Sequence, residues 1–230
     1  MPADNDTDPP FETAELRRNL RLFLKTPFDG VPVGRYTWGV YAFYDYDGEP
    51  IYVGQTNEKV SGRISRHLTN QRTDAVAMSV LDPFEVFEVA IWPLPEFQEV
   101  RGKHHPEFKA ARTRLDALEH QIYTEAIRQS EFKAILNEKA PPKPVNAVEM
   151  PRCCRGRIVS PQLLESRGHP DFRIARRAQT LSRLAQVISE RQVQGGLRQA
   201  LLTQSKRLAW LAERRLRAVG DDGEADSDVR

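Results

Sequence analysis

The chain has no apolar run approaching the 18 or more residues that a membrane-spanning helix requires. Its first ten residues, MPADNDTDPP, are acidic and lack the apolar core of a secretory signal, so the expected location is the cytoplasm. Cysteine is nearly absent. Cys153 and Cys154 are adjacent and no second pair exists, which gives neither a disulfide framework nor a zinc-ligand spacing, even with His104 and His105 in the chain. No internal repeat is visible. What remains is ordinary soluble-protein composition, 40% hydrophobic and 29% charged over 230 residues, enough for one domain with a substantial extension or for two small ones.

Charge is unevenly placed. The net +2 conceals residues 1–150 with 18 Lys and Arg against 23 Asp and Glu, residues 151–219 with 15 against 4, and a final eleven residues with 5 acids and 1 base. A basic block of that strength, almost all arginine, is the footprint of a polyanion binder. The bland alternatives are a solvated helix surface or a dimerisation element.

The aromatic residues concentrate between Tyr36 and Tyr52. Residues 36–46 and 51–54 have the aromatic and β-branched content of two short strands, with Asp47-Gly48 as the turn between them. A symmetric turn pairs Phe43 with Tyr52 and Tyr41 with Gly54, and alternation places all four on one face. A helix beginning after the turn at residues 55–61 carries Arg63 and His67 one turn apart. Two phenols, a guanidinium and an imidazole thereby converge.

The rest of the chain reads simply. Residues 1–12 are expected to be disordered, and Thr13 to cap a helix reaching Lys25. Residues 84–94 alternate as a third strand, residues 75–81 are ambiguous, and residues 107–129 form a long helix with Leu115, Leu118, Ile122 and Ile127 as its stripe. A proline-rich linker covers 140–151. Beyond it Ser160-Pro161 opens a short helix ended by Gly168, and helices over 172–194 and 197–219, broken at Gly195-Gly196, suggest an antiparallel hairpin. The expected units are a tail and helix (1–33), a mixed strand-and-helix domain (34–139), the linker, a basic helical extension (152–219) and an acidic tail (220–230).

Gly39-Val40-Tyr41, ten residues, Tyr52-Val53-Gly54, then Arg63 and His67 resembles the catalytic motif of the GIY-YIG nuclease superfamily. The resemblance covers roughly residues 36–137. It implies an α+β fold, a small three-stranded, mainly antiparallel sheet flanked by helices, here followed by a C-terminal α-helical extension. It also implies a metal-binding glutamate on the helix after the third strand and an asparagine beyond it. Leu118-Glu119-His120-Gln121-Ile122 resembles the setting of that glutamate and Ile135-Leu136-Asn137 that of the asparagine. Glu125 fits the family's usual spacing to the asparagine better than Glu119, whose flanking residues fit better. Ala134 stands where the family often has proline, and Gln55 where many relatives have lysine.

The resemblance implies a Mg²⁺-dependent (or Mn²⁺-dependent) endonuclease acting on DNA, of restriction or host-defence type, with catalytic residues Tyr41, Tyr52, Arg63, His67, Glu119 and Asn137. Glu119 is the expected metal ligand, since one carboxylate with waters and phosphate oxygens suffices for a hard cation that keeps much of its water shell. Arg63 is expected to clamp a phosphate oxygen and Tyr41 to accept a proton from water, helped by nearby cations. The alternatives are a repair or mobile-element nuclease of the same fold and a non-catalytic nucleic-acid-binding protein. The basic helices are expected either to bind DNA or to form a homodimer.

Overall fold

The computed structural model describes residues 10–69, 80–190 and 195–224. The expected disordered start lies outside these up to residue 9, as do most of the ambiguous residues 75–81 and the end of the acidic tail. Helix α1, Phe11–Leu24, begins two residues before Thr13 and buries Leu16, Leu20, Phe23 and Leu24. A two-residue hairpin follows, β1 (Pro27–Phe28) against β2 (Val31–Pro32). The main sheet uses β3 (Gly39–Tyr44), β4 (Pro50–Thr56), β5 (Glu88–Pro93) and β6 (Cys154–Arg157), antiparallel in the order β4-β3-β5-β6. Between them lie α2 (Val60–Leu68) and α3 (Phe108–Gln129), and beyond β6 come α4 (Pro161–Arg167), α5 (Pro170–Glu190) and α6 (Gly195–Glu224).

The period of two along β3 divides the core. Val40 and Ala42, with Ala90, pack against Leu115, Leu118 and Ile122 of α3. Tyr41 and Phe43, with Val89 and Ile91, face Leu16, Leu20 and Ile64 of α1 and α2, and Leu184 and Leu197 of α5 and α6. The molecule is α+β, with helices on both faces of an antiparallel sheet. The expected hairpin register holds: Tyr41 opposes Gly54 and Phe43 opposes Tyr52, with an irregularity only at Phe43/Tyr44. The third strand starts later than its alternation suggests. Asp82 accepts from the Phe84 N–H at 3.0 Å and turns Pro83–Glu85 into a 3-10 turn instead.

Among the described residues the sheet has four strands where the sequence leads to three, and the fourth comes from the segment expected to be a helical extension. Cys-Arg-Gly-Arg carries no strand pattern. It is held by its partner: Ala90 opposes Arg155, both Arg155 and Arg157 reach Glu88, and Arg155 lies 3.9 Å over the Tyr44 ring. The two cysteines are free, Cys153 exposed and Cys154 buried.

Helices α5 and α6 run antiparallel, as Arg177 donating to the Arg207 carbonyl at 3.0 Å and Arg215 pairing with Asp171 at 2.9 Å show. Gly195 and Gly196 start α6 rather than merely breaking a helix. Gly196 abuts the Glu138 carbonyl, where any Cβ would collide.

The basic segment is bound mostly to the acidic one. Arg173 pairs with Asp47 at 2.5 Å, Arg176 with Asp82 at 2.6 Å, Arg214 with Asp47 at 2.7 Å, and Arg167 with Glu12. At the centre Asp45, 2% exposed, accepts from Arg177 at 3.0 Å and Arg207 at 2.9 Å, while Arg177 also donates to Glu85 at 2.8 Å. Burial pushes the Arg207 guanidinium below its ordinary pKa, opposed by Asp45.

Removing one partner of a buried pair strands the other charge, at about 3–5 kcal/mol. Asp45→Ala is therefore expected to lower stability by about that amount, while Arg18→Ala, which opens the exposed pair with Glu15, is expected to cost less than about 1 kcal/mol. Urea unfolding of both variants measures the contrast. Equal midpoints would mean that the buried carboxylate contributes nothing.

Candidate active site

β4 is an edge strand, and the site is built around its free side. The segment after α3 covers half of that edge. Leu136 N–H donates to the Ile51 carbonyl at 2.8 Å. The Asn137 amide imitates a further strand residue: Nδ2 donates to the Val53 carbonyl at 2.7 Å and Oδ1 accepts the Val53 N–H at 3.0 Å. The edge beyond, Gly54 to Thr56, opens into a cleft of about 590 Å³ whose walls include Tyr52, Gln55, Arg63, His67, Arg112, Glu119 and Asn137.

Two elements supply the walls from opposite faces of the sheet. From one, α2 projects Arg63 and His67 toward Tyr52, whose ring centroid lies 5.2 Å from the imidazole. From the other, α3 projects Arg112, Asp116 and Glu119, residues i, i+4 and i+7 of one helical face. Gln55 ties β4 to α3, donating to Asp116 at 2.9 Å and also to Glu119.

Five of the six residues singled out in the sequence, Tyr52, Arg63, His67, Glu119 and Asn137, line this cleft. Tyr41 lies directly behind the wall, fully buried, with its hydroxyl 3.0 Å from His67 Nε2. Its hydroxyl oxygen sits against Gly54, where an added Cβ would come within 2.6 Å of it. Glycine is required there because the phenol occupies the space a side chain would take. Glu125 is elsewhere. It is tied to Arg128 and Gln129 on the outer side of α3, and these bonds hold its carboxyl down to about 2.

The electrostatics fit an anionic ligand and a cation. Half-burial disfavours the Arg63 charge, but the Tyr41 phenol bonded to it, with Tyr52 and Glu58, raises its pKa. Its Nε is buried and makes no hydrogen bond, a donor available to an acceptor entering the cleft. Burial, then Asp116, pushes the Glu119 carboxyl up to about 7, against the pull of Arg112, Arg63 and Gln55. A carboxylate so raised gains from a cation beside it. Gln55 Oε1 is likewise buried without a hydrogen-bond partner. Glu119 and this amide oxygen are hard oxygen donors of the kind Mg²⁺ accepts alongside water and phosphate. Among the described residues no cluster of three or more His, Cys, Asp or Glu forms a protein-only cage.

Gln55 and the Arg112–Asp116 pair (3.0 Å) were not recognised as part of the site from sequence. The signal was present in the seven-residue spacing from Arg112 to Glu119.

Residues 37–100 match the family described as the GIY-YIG catalytic domain, a segment that takes in Tyr41, Tyr52, Arg63 and His67 and ends before Glu119 and Asn137. No curated protein and no solved structure matches the chain.

Gly54→Ala is expected to displace the Tyr41 ring and to destabilise by about 1–3 kcal/mol, the usual range for overpacking. Urea unfolding, together with the NMR ring resonances of His67, reads both effects. A wild-type midpoint with unmoved resonances would show that the phenol does not depend on that space.

Proposed function

Through residues 37–100 the chain belongs to the GIY-YIG nuclease superfamily, and from that premise we propose that it is a divalent-metal-dependent endonuclease that hydrolyses phosphodiester bonds in DNA. The observation that carries this reading is the convergence of Tyr52, Arg63, His67 and Glu119 on one cleft beside the β4 edge, with Tyr41 bonded to His67 behind it.

In this mechanism the phosphodiester enters between α2 and α3. Arg63 donates its free Nε and its terminal nitrogens to a non-bridging oxygen and holds the charge that builds up there. Tyr52 orients the attacking water from the β4 side. The proton lost by the water passes to the Tyr41–His67 pair, where the guanidinium against the phenol favours a negative oxygen. Glu119 would hold a divalent metal ion, with Gln55 steadying the carboxylate and Asn137 fixing the strand that carries Tyr52. An ion such as Mg²⁺ or Mn²⁺ there would supply Lewis-acid neutralisation of charge on the phosphate and on the leaving oxygen.

Within the superfamily we assign the chain to the restriction or host-defence type. The support is its composition of one cleft-bearing sheet with one helical extension packed on it. No described helix is long and apolar enough to cross a membrane.

Purified protein incubated with plasmid DNA is expected to cut in Mg²⁺ and not in EDTA, and sequencing the ends would show one recurrent site for a restriction-type enzyme. Binding without cutting in any divalent metal would instead identify a non-catalytic nucleic-acid-binding protein. Glu119→Ala should abolish cutting with binding largely retained, and Glu125→Ala should change it little. The reverse outcome moves the metal ligand to Glu125.

Arg63→Lys keeps a charge but loses the fork. Its turnover is expected to fall by about 100-fold or more, the scale of a lost transition-state donor. Near wild-type turnover would remove Arg63 from the reaction.

A further inference from the structure

Pairing within the fold removes most of the C-terminal arginines from consideration as a phosphate-binding surface. Free cations gather elsewhere. A groove of about 530 Å³ between α1, the 3-10 turn at Val33–Arg35 and the first turns of α2 is walled by Arg21, Lys25, Arg35 and Lys59 with Ser61 and Ser65. No carboxylate of the described residues lines it. All four cations are exposed, and none takes part in an ion pair among the described residues.

Helix electrostatics account for only part of this cluster. Arg21 and Lys25 lie at the C-terminal end of α1, where cations are favoured. Lys59 caps the N-terminus of α2, the positive end, where a cation is unfavourable. Four like charges held around one opening repel one another unless an anion shares the space.

The position of the groove relative to the cleft specifies the anion. Val60, Ile64 and Leu68 bury one side of α2. Gly62 and Arg66 form the opposite ridge. At 100° per residue, Arg63 and His67 fall on one flank of that ridge and Ser61 and Ser65 on the other. One flank forms the cleft and the other the groove. A helix is about 10–12 Å across with its side chains, and the major groove of B-DNA is about 12 Å wide.

Resting on the nuclease reading, we infer that α2 is a ridge that seats in the major groove of a DNA duplex: the strand on the cleft side is the one cut, and the basic groove on the other flank grips the phosphates of the opposite strand. The substrate is therefore double-stranded. Ser61 and Ser65 donate hydroxyls to the held phosphates, and the four cations release counterions from them.

The test uses the full chain, one duplex and the matching single strand, with affinity measured across a range of salt. The variant combines Arg21→Gln, Lys25→Gln, Arg35→Gln and Lys59→Gln, all surface substitutions. Each cation that neutralises a phosphate contributes about 0.9 to the log–log salt slope. The variant's duplex slope is expected to flatten by as much as about 3.6, with its single-strand slope unchanged. Arg183→Gln, Arg198→Gln and Lys206→Gln together, which neutralise exposed cations of α5 and α6, are expected to leave the duplex slope near wild type.

An unchanged duplex slope overturns the inference. So does equal flattening on duplex and single strand, or equal flattening by the control triple, since either would make the effect one of general charge. Cutting is scored on the same duplex. Wild-type binding with the predicted slope change but no metal-dependent cutting would sink the nuclease reading and leave the groove. Cutting with an unchanged slope would sink the groove alone.

Discussion

The carboxylate of Asp45 joins the two halves of the molecule. Its Oδ1 accepts the N–H groups of Asp47 and Glu49 at 2.9 and 3.0 Å, which sets the turn between β3 and β4. Its Oδ2 accepts Arg177 and Arg207, which sets α5 and α6 against the sheet. One side chain therefore fixes both the register that brings Tyr41 opposite Gly54 and the helices that close the core over Tyr41 and Phe43. The charge asymmetry along the sequence has its explanation here. The acids of residues 1–150 and the arginines that follow are complementary surfaces, and burial makes each depend on the other.

The second constraint is the half-covered edge of β4. A fully paired edge would leave no cleft, and an open one would offer a row of unpaired amides and carbonyls to other chains. Leu136 and Asn137 cover Ile51 and Val53 and stop there. The uncovered part, Gly54 to Thr56, is where side chains of α2 and α3 meet around the end of the strand, although the two helices lie on opposite faces of the sheet. Alternation turns Gln55 toward α3 while Gly54 faces Tyr41.

Much of this was readable in the sequence wherever the rule is local. The turn at Asp47-Gly48 and the period of two placed Tyr41, Phe43, Tyr52 and Gly54 correctly, and the Ser160-Pro161 start and Gly168 end of α4 follow from capping chemistry alone. Helix geometry alone does not choose between Glu119 and Glu125: six residues leave them 120° apart, one on either side of the Leu115–Ile122 stripe, and it is the bonds of Glu125 to Arg128 and Gln129 that take it away from the cleft. What the sequence did not disclose was non-local. β6 has no strand composition of its own and exists because β5, Glu88 and Tyr44 hold it. The arginines looked like an outward-facing block because nothing in a one-dimensional charge count shows that their partners are carboxylates on the sheet side.

The reach of the Asp45–Arg207 bond, 162 residues along the chain, has a consequence for the order in which the protein matures. Chains emerge N-terminus first and consolidate as units become complete. When the hairpin, α2 and α3 have been made, Asp45 and Glu85 still lack the guanidinium groups that make their burial tolerable, and the face of Tyr41 and Phe43 still lacks Leu184 and Leu197. The half-made chain holds every residue of the cleft yet cannot close the core that supports them. Synthesis of α6 is therefore the step that completes the core beneath the cleft.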